Sequence, residues 1–210
     1  MKQYILIFVM CLGALGVQAQ EMKTLFTNMP DSLIPQLESA WRKDLIDLYN
    51  TGKEARLQNT MNGFAKLLKL TSDYVLLQPT ERTTVELKSL PLVNNTYIIC
   101  MITTIDGPVA DSRVAFYTTD WKSLESENLL TPVTGSWFVK DGADKNSDAY
   151  QDALARLDMD LIKYQLSPDN QNLTATYTTP QYLSENERSK VLPFLKDNPR
   201  IYTWEKSYFK

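Results

Sequence analysis

The apolar positions in the first quarter of the chain repeat with a helical period. In DSLIPQLESAWRKDLIDLYNTG, residues 31–52, they recur every three or four residues, whereas Arg42 and Asp47 fall on the opposite face. Ser32 is suited to cap the start of a helix, and Gly52 is suited to end it. The pattern predicts one amphipathic helix whose apolar stripe consists of Leu33, Leu37, Trp41, Leu45 and Leu48.

After Gly52 the period changes to that of β-strands. LLKLTSDYVLLQP, residues 67–79, predicts two strands joined around Ser72-Asp73. In TTVELKSL, residues 83–90, apolar and charged residues alternate, which is typical of a strand. NTYIICMITTID, residues 95–106, is apolar at both odd and even positions. Such a strand is expected at the centre of a sheet that is covered on both faces.

The second half of the chain mixes helices with a hairpin. SDAYQDALARL, residues 147–157, has helical spacing. LIKYQL and LTATYTT flank SPDNQN and predict a hairpin. Ser184 and Glu187 have the spacing of a capping box, and RIYTWEKSYF predicts a last strand. The fold class is therefore α+β, with an antiparallel sheet of hairpins and a few packed helices.

One short block occurs twice. Residues 115–128, AFYTTDWKSLESEN, resemble residues 175–186, ATYTTPQYLSEN. Two similar hairpin-plus-helix units would explain the echo, and Tyr117 and Tyr177 would then lie on equivalent faces of their hairpins. The alternative is that Tyr-Thr-Thr is simply good strand sequence in both places.

The N-terminus has the pattern of a secretory signal. Lys2 precedes an uncharged apolar run from Ile5 to Val17, and Val17-Gln18-Ala19 fits a cleavage site. We expect a signal peptide at residues 1–19 and a single compact domain at residues 20–210, with a subdivision near residues 125–145 left open. The alternative is a buried first helix. Export follows from the first interpretation. Cleavage would leave Cys100 as the one remaining cysteine, so no internal disulfide is possible, which suits a bacterial envelope.

Composition excludes several classes of function. The formal net charge is −3 and no basic cluster occurs, so no nucleic-acid partner is expected. No later segment is long and apolar enough to cross a membrane. The chain contains no histidine, and its glycines do not form a phosphate-binding loop. Cys100 lies in the apolar strand and is expected to be buried and inert. We therefore assign no catalytic residue, cofactor or metal.

The acidic residues leave two kinds of site open, a hydrolase site and a calcium loop. A glycan hydrolase needs only a pair of acids across a cleft, and the sequence does not pair the candidates Glu81, Glu86, Glu125, Glu127, Asp158 and Asp160 in space. DKNSDAYQD, residues 144–152, spaces Asp144, Asn146 and Asp148 as a calcium loop does. It lacks the glycine and the final glutamate of that loop, and it fits a helix N-terminus better.

Aromatic side chains supply the candidate binding surface. Tyr117, Trp121, Trp137 and Tyr182, together with Trp204, lie near predicted strand ends or turns. Such rings form sugar-binding or protein-binding faces, or they close the edges of a core. The expected partner is an unknown protein or glycan, and the expected state is a monomer or weak oligomer.

The chain resembles a known family in three blocks. NMPDSLIP, LIDLY and FYTTDWKSL are similar to the exported proteins of Gram-negative gut anaerobes catalogued as domain of unknown function 3256. The chain departs from that family at QLESAWRK, where a more polar segment is expected. The resemblance implies export and an α+β fold, and it assigns no catalytic residue.

Three functions remain in order of preference. The first is a non-enzymatic binding or interaction module of the periplasm or cell surface. The second is a carboxylate-based glycan hydrolase, and the third is a structural envelope protein. A deep cleft with two converging carboxylates would favour the second, and an exposed patch of the named aromatics would favour the first.

Overall fold

Helices cover one face of a seven-stranded antiparallel sheet, and a four-stranded antiparallel sheet packs on the other face. This arrangement is seen in a computed structural model that describes residues 22–210. The predicted signal peptide lies outside the described residues. Within them, none of the helices is both long enough and apolar enough to cross a membrane.

The helices are short and are supplemented by single 3₁₀ turns. The α-helices are α1 (residues 22–28), α2 (Ser39–Asn50), α3 (Asp148–Leu154), α4 (Thr179–Tyr182) and α5 (Glu185–Val191). The 3₁₀ turns are Asp31–Leu33, Ser126–Asn128, Gly135–Phe138 and Leu192–Phe194.

The strands run in chain order through both sheets. The first sheet is a meander of β1 (Arg56–Gln58), β2 (Phe64–Leu70), β3 (Tyr74–Thr80), β4 (Thr83–Pro91), β5 (Tyr97–Asp106), β6 (Ala110–Thr118) and β7 (Ser123–Leu124). The second sheet has the order β11 (Tyr208–Phe209), β10 (Arg200–Glu205), β9 (Asn172–Tyr177) and β8 (Ile162–Leu166). The α+β fold with antiparallel hairpins is confirmed.

The first core lies between the helices and the seven-stranded sheet. Its helical side includes Phe26, Leu37 and Leu45, and its sheet side includes Leu77 and Leu87. All five side chains are fully buried. Burial of apolar surface at roughly 25 cal/mol per Å² is the main force that holds these helices on the sheet.

The second core lies between the two sheets. From the first sheet it contains Cys100 and Phe116, and from the second it contains Leu173 and Trp204. The prediction that residues 95–106 form a strand covered on both faces is confirmed, because Ile99 faces the helices and Cys100 faces the second sheet. Desolvation raises the pKa of the Cys100 thiol well above its ordinary value, so it stays protonated.

Side chains of the first sheet satisfy the outer edge of β8. The backbone N–H of Ile162 donates to Asp111 Oδ1 at 3.0 Å, and that of Tyr164 donates to Ser112 Oγ at 3.0 Å. The N–H of Leu166 donates to Glu86 Oε2 at 2.9 Å. Alternate N–H groups of an edge strand thus find acceptors on the other sheet, which protects the edge and fixes the contact between sheets.

The predicted long helix is interrupted. Asp31–Leu33 form a 3₁₀ turn, and α2 begins only at Ser39, so Ser32 does not cap it. The predicted end is confirmed, because Gly52 adopts φ +70° and Lys53 N–H donates to the Leu48 carbonyl at 3.1 Å. The break lets Ile34 enter the first core, where it is 1% exposed.

Three charged side chains are buried where the sequence patterns suggested polar faces. Arg42 of α2 is 0% exposed because the backbone carbonyls of the preceding segment surround it. Glu86 and Lys88 of β4 are 5% and 1% exposed. The alternation in β4 therefore does not mark a solvent-facing side, because the second sheet covers the charged positions.

The two echoed blocks agree in topology but not in orientation. Each forms the second strand of a hairpin, in β6 and in β9. Thr118 N–H donates away from the hairpin partner to Lys122, whereas Thr178 N–H donates toward it to Leu161. Backbone N–H direction and side-chain face alternate together along a strand, so the two tyrosines point to opposite faces of their hairpins. Tyr117 packs on the helix-side core, whereas Tyr177 packs on the inter-sheet core. The blocks do not superpose as one repeated unit.

Two predicted helix starts are confirmed. Ser147 Oγ accepts from Tyr150 N–H at 3.3 Å at the start of α3, so DKNSDAYQD leads into a helix. Ser184 and Glu187 form the full capping box of α5. Hydrogen bonds from Ser184 are the main reason that the pKa of Glu187 lies below its ordinary value.

Candidate functional site

A connecting segment runs from the edge of β11 to the 3₁₀ turn that follows α5. We call residues 129–140 the strap. At its start, Phe209 N–H donates to the Leu129 carbonyl at 2.9 Å. At its end, Lys140 N–H donates to the Phe194 carbonyl at 2.8 Å, and Lys196 N–H donates to the Phe138 carbonyl at 2.7 Å. The strap is fixed at both ends and separates two concave surfaces.

The first surface is a groove between the strap and strands β10 and β11. Its volume is about 440 Å³, which falls within the ordinary range for ligand sites. We call it the cationic groove. It is lined by Thr131, Pro132, Val133, Thr134, Ser136, Trp137, Arg200, Tyr202, Tyr208, Phe209 and Lys210.

Arg200 is the central charged group of the cationic groove. It has the same parity in β10 as Tyr202 and Trp204, both of which face the inter-sheet core. Its guanidinium carbon lies 5.4 Å from the centre of the Trp137 ring and 5.1 Å from that of the Tyr202 ring. Two aromatic rings therefore hold this half-buried cation in place.

The other cations near the groove have carboxylate neighbours. Lys196 Nζ lies 4.7 Å from the centre of the Trp137 ring and 3.7 Å from Asp141 Oδ2. Lys210 Nζ lies 3.5 Å from Glu205 Oε2. Within residues 22–210, Arg200 forms no ion pair with a carboxylate. Its charge is thus the one in the groove that this part of the chain leaves unpaired.

Tyrosine hydroxyl groups brace the strap against β10 and β11. Tyr202 Oη donates to the Thr131 carbonyl at 3.1 Å, and Tyr208 Oη is hydrogen-bonded to Thr131 Oγ1. Burial raises the pKa of Tyr202 to about 12, with a smaller opposing effect from the Arg200 charge. Tyr202 therefore remains a neutral hydrogen-bond donor at physiological pH.

The second surface lies on the other side of the strap, against α3. We call it the helix pocket; its volume is about 360 Å³. Val139, Leu154 and Leu157 contribute apolar surface to it. The lining residues are Gly135, Ser136, Val139, Lys140, Asp141, Lys145, Tyr150, Leu154, Leu157, Asp160 and Tyr177.

Most charged groups of the helix pocket are already used within the protein. Asp160 Oδ1 accepts from the Gly135 N–H at 2.9 Å, and Lys140 Nζ donates to the Pro193 carbonyl at 3.0 Å. Asp141 Oδ2 lies 3.7 Å from Lys196 Nζ. The pocket has a balanced set of charges, unlike the cationic groove.

The wall between the two surfaces depends on a glycine. A Cβ atom at Gly135 would collide with Asp160 Oδ1 and would lie 2.8 Å from Tyr177 Oη. Tyr177 is itself stacked on Phe138, with ring centres 5.2 Å apart. The strap can approach β9 this closely only because Gly135 has no side chain.

Comparison with known proteins identifies the family. A family model described as "Protein of unknown function (DUF3256)" matches residues 14–209. The chain belongs to the DUF3256 family. The resemblance predicted from three sequence blocks is thus confirmed, although the match assigns no activity.

A solved structure has the same fold. It is described as "Structure of a domain of an uncharacterized protein from Porphyromonas gingivalis W83". The two chains are 29% identical and superpose with a TM-score of 0.82. The match covers 90% of this DUF3256 chain and 98% of the solved chain. A comparison with curated proteins finds no match.

The predicted aromatic residues of this DUF3256 protein lie in four places. Tyr117 and Trp121 pack on each other, with ring centres 5.6 Å apart, and both contact the helix-side core. Trp137 lines the cationic groove, and Tyr182 is 54% exposed on α4. Trp204 is buried between the sheets. Of these rings, Trp137 is the one that lies beside Arg200.

The candidate carboxylates are likewise dispersed. Asp160 lines the helix pocket, whereas Glu86 is buried between the sheets, where it accepts from Tyr74 Oη at 2.9 Å. The remaining candidates, Glu81, Glu125, Glu127 and Asp158, are exposed. Among residues 22–210, no group of three or more Asp, Glu, Cys or His side chains is placed to hold a metal.

Sequence reasoning missed Arg200. A usable signal was present, because Arg200, Tyr202 and Trp204 alternate in RIYTWE and therefore share one face of a strand. An arginine in phase with two buried aromatics is a candidate for a cation held at the edge of a core. The contribution of the strap could not be predicted, because Trp137 is far from Arg200 in sequence.

Proposed function

We propose that this DUF3256 protein is a non-enzymatic binding module of the periplasm or cell surface, and that its ligand binds in the cationic groove. The single observation that carries the proposal is the state of Arg200. Two rings hold the guanidinium, and no carboxylate within residues 22–210 pairs with it. A charge that lies in a groove without an internal partner is available to pair with an opposite charge on a ligand, and such complementarity gives specificity.

The architecture around Arg200 supports binding rather than chemistry. The groove contributes hydroxyl groups, aromatic rings and cations, and its lining residues include neither a carboxylate side chain nor a thiol. General acid–base catalysis needs a group that exchanges a proton near neutral pH. The pKa of Tyr202, the most strongly perturbed hydroxyl here, is raised to about 12 by burial. These groups are suited to recognition.

Export is part of the proposal, and it rests on the N-terminal pattern. Lys2, the apolar run and Val17-Gln18-Ala19 support cleavage after Ala19. Intact-mass measurement of the protein from the native envelope fraction is expected to give a mature N-terminus at Gln20. Full-length protein with Met1 in that fraction would contradict export by this route.

Envelope binding tests the function. Purified residues 20–210 are mixed with isolated envelopes of the native host, and the bound fraction is measured by co-sedimentation over a concentration series. Loss of a charged hydrogen bond costs about 1.5–3 kcal/mol, so Arg200→Gln is expected to weaken binding roughly tenfold to a hundredfold. Arg82→Gln, at an exposed position in the β3–β4 turn, removes the same charge and is the matched control.

Each result of the envelope experiment has a defined meaning. Weaker binding by Arg200→Gln but not by Arg82→Gln supports the groove. Equal binding by all three proteins contradicts it. Absence of binding by the wild-type protein would favour the third function, a structural envelope protein.

The helix pocket favours a second candidate function, a carboxylate-based glycan hydrolase. Asp141 and Asp160 both line it, and hydrolysis of a glycosidic bond requires two carboxyl groups. The test is release of reducing ends from envelope glycans by wild-type protein and by Asp160→Asn. Turnover that the variant lacks would support hydrolysis, and equal or absent turnover would contradict it.

A further inference from the structure

The cationic groove has features that narrow the class of its ligand. We propose that the ligand is a saccharide that carries a singly charged acid group, a hexuronate carboxylate or a sulfate ester, and that this group pairs with Arg200. The inference rests on the proposed function, because it assigns a chemical class to the same groove.

The charge balance favours a single negative group. Lys210 lies near Glu205 and Lys196 lies near Asp141, so both lysines have acidic neighbours. Arg200 alone among the three lacks one within residues 22–210. One uncompensated positive charge matches one negative charge. A phosphate dianion would leave part of its charge unpaired in a partly desolvated groove.

The geometry of Arg200 favours an oxyanion that accepts two parallel hydrogen bonds. Arginine presents a planar set of donors that matches carboxylates and related oxyanions. The rings of Trp137 and Tyr202 lie 5.4 Å and 5.1 Å from its guanidinium carbon and limit its movement. A restrained arginine loses less side-chain entropy on binding than a free one, so the site is pre-organised.

The strand edges next to the groove argue against an extended peptide. A peptide that binds by β-addition needs an open strand edge. β10 is paired with β9 from Arg200 to Thr203, whereas β11 covers its other side only at Trp204 and Glu205, with two further hydrogen bonds between Thr203 and Lys210. The other edge of β11 faces the strap, because Phe209 N–H donates to Leu129 and Phe209 forms a parallel bridge with Leu130. Among residues 22–210, the side of β10 that faces away from β9 has no strand partner at Arg200–Tyr202, and because backbone groups alternate in direction only Ile201 presents its N–H and C=O there. One residue is too short an edge for a peptide to add as a strand.

The remaining surface fits a sugar. Trp137 and Tyr208 contribute partly exposed aromatic surface, on which the apolar C–H face of a sugar ring can stack. The exposed residues Thr131, Thr134 and Ser136 place hydroxyl groups along the strap. Hydroxyl groups can both donate to and accept from the hydroxyl groups of a saccharide. A ligand whose acid group pairs with Arg200 and whose sugar ring lies beside Trp137 would use both the cation and the aromatic surface of the groove.

Matched pairs of oligosaccharides test the inference. The probes are oligomers of galacturonate, glucuronate and mannuronate and a sulfated galactan oligomer, each beside a neutral counterpart with the acid reduced or the sulfate removed. A hexapeptide of glutamate is the peptide probe. Affinities are measured by calorimetry with wild-type protein, Arg200→Gln, Arg200→Lys, Trp137→Phe and the control Arg82→Gln, each checked for unaltered thermal unfolding.

The expected result is that at least one acidic oligosaccharide binds about tenfold to a hundredfold more tightly than its neutral counterpart. Arg200→Gln should remove that difference, and Arg200→Lys should restore part of it because it keeps the charge but not the planar donor set. Arg82→Gln should change nothing. Binding of the uronate or of the sulfated member identifies the source of the acid group.

Other results would overturn the inference. If the acidic and neutral members of each pair bind equally, and Trp137→Phe weakens the binding of both, the proposed role of the acid group is wrong. The groove would then still be a binding site. Tighter binding of the glutamate peptide would contradict the saccharide class. If no oligosaccharide binds while envelope binding still depends on Arg200, the saccharide inference fails alone. If envelope binding is also independent of Arg200, the proposed function fails with it.

Discussion

Arg42 and Arg200 show two ways in which this fold holds an arginine. Arg42 of α2 is fully buried. Its Nη1 lies 2.9 Å from Asp31 Oδ1 and donates to the Leu37 carbonyl at 2.6 Å. Its Nη2 donates to the Thr27 carbonyl at 3.1 Å and to the Met29 carbonyl. Arg200 lies at the rim of the second core between two aromatic rings, and no carboxylate within residues 22–210 pairs with it.

The difference separates a charge with polar partners inside the fold from one with no carboxylate partner among residues 22–210. The polar partners of Arg42 are part of the fold, and they join the end of α1 to α2. Desolvation lowers its pKa, and the Asp31 contact opposes that effect. The rings around Arg200 fix its position without neutralising its charge. Burial alone would have singled out Arg42, whereas Arg200 is distinguished by its place between two rings in a groove, with no carboxylate partner among residues 22–210.

The largest expected effect is at Arg42. Arg42→Met keeps most of the apolar stem but removes the donor to the buried Leu37 and Met29 carbonyls. At about 1–3 kcal/mol for each unsatisfied group, we expect it to lower the free energy of unfolding by about 2–6 kcal/mol. Lys43→Met changes an exposed neighbour on the same helix and is expected to stay within about 0.5 kcal/mol. Urea unfolding followed by circular dichroism measures both. Similar losses in the two variants would show that Arg42 has no special structural role.

The next effect concerns the wall between the cationic groove and the helix pocket. Gly135→Ala forces a methyl group against Asp160 and Tyr177, and such overpacking costs about 1–3 kcal/mol. Gly142→Ala is the matched control, because a Cβ atom there meets nothing within 4 Å. Thermal unfolding should separate the two variants. Equal midpoints would mean that the strap can move away from β9 without loss.

Glu86 extends the comparison to a buried acid. Burial is the main cause that raises its pKa, and hydrogen bonds from Tyr74 and Leu166 and the Lys163 charge oppose it. A carboxyl group with a raised folded-state pKa contributes most stability below its unfolded pKa of about 4.3, and that contribution is lost as the pH rises through the folded value. We therefore expect wild-type protein to lose stability relative to Glu86→Gln as the pH rises above about 4, because the unfolded state releases the proton first.

Urea unfolding at a series of pH values measures this difference. Glu81→Gln, at an exposed position, is the control and should run parallel to the wild type. If the stability of the wild type relative to Glu86→Gln instead increases with pH, the folded-state pKa of Glu86 is lowered and not raised. The hydrogen bonds to Glu86 would then outweigh its burial.

The smallest expected effect on stability is at Arg200. Its contacts with Trp137 and Tyr202 are only partly buried, and such cation–π pairs contribute about 0.5–1 kcal/mol. Arg200→Gln is therefore expected to unfold within about 1 kcal/mol of the wild type. A loss as large as that of Arg42→Met would place Arg200 among the structural charges and would contradict the comparison.

The sequence predicted local elements well and contacts between distant segments poorly. Hairpins, the Gly52 helix end and the Ser184 cap depend on neighbouring residues, so periodicity and capping chemistry indicate them. Arg42 and Glu86 are buried because segments distant in sequence cover them, and no local pattern contains that information. The groove has the same origin: Trp137 was predicted as a candidate, but its contact with Arg200 depends on how the strap folds back.

The central claim is that Arg200, unlike Arg42, receives its partner from outside the chain. Protein with ¹⁵N-labelled arginine gives a resolved Nε–H signal for each restrained arginine, assigned with Arg200→Lys and Arg42→Lys. On titration with the acidic oligosaccharide that binds, or with solubilised envelope glycan, we predict that the Arg200 signal shifts and saturates while the Arg42 signal stays in place. An unchanged Arg200 signal at saturation, or equal shifts of both signals, would contradict the account.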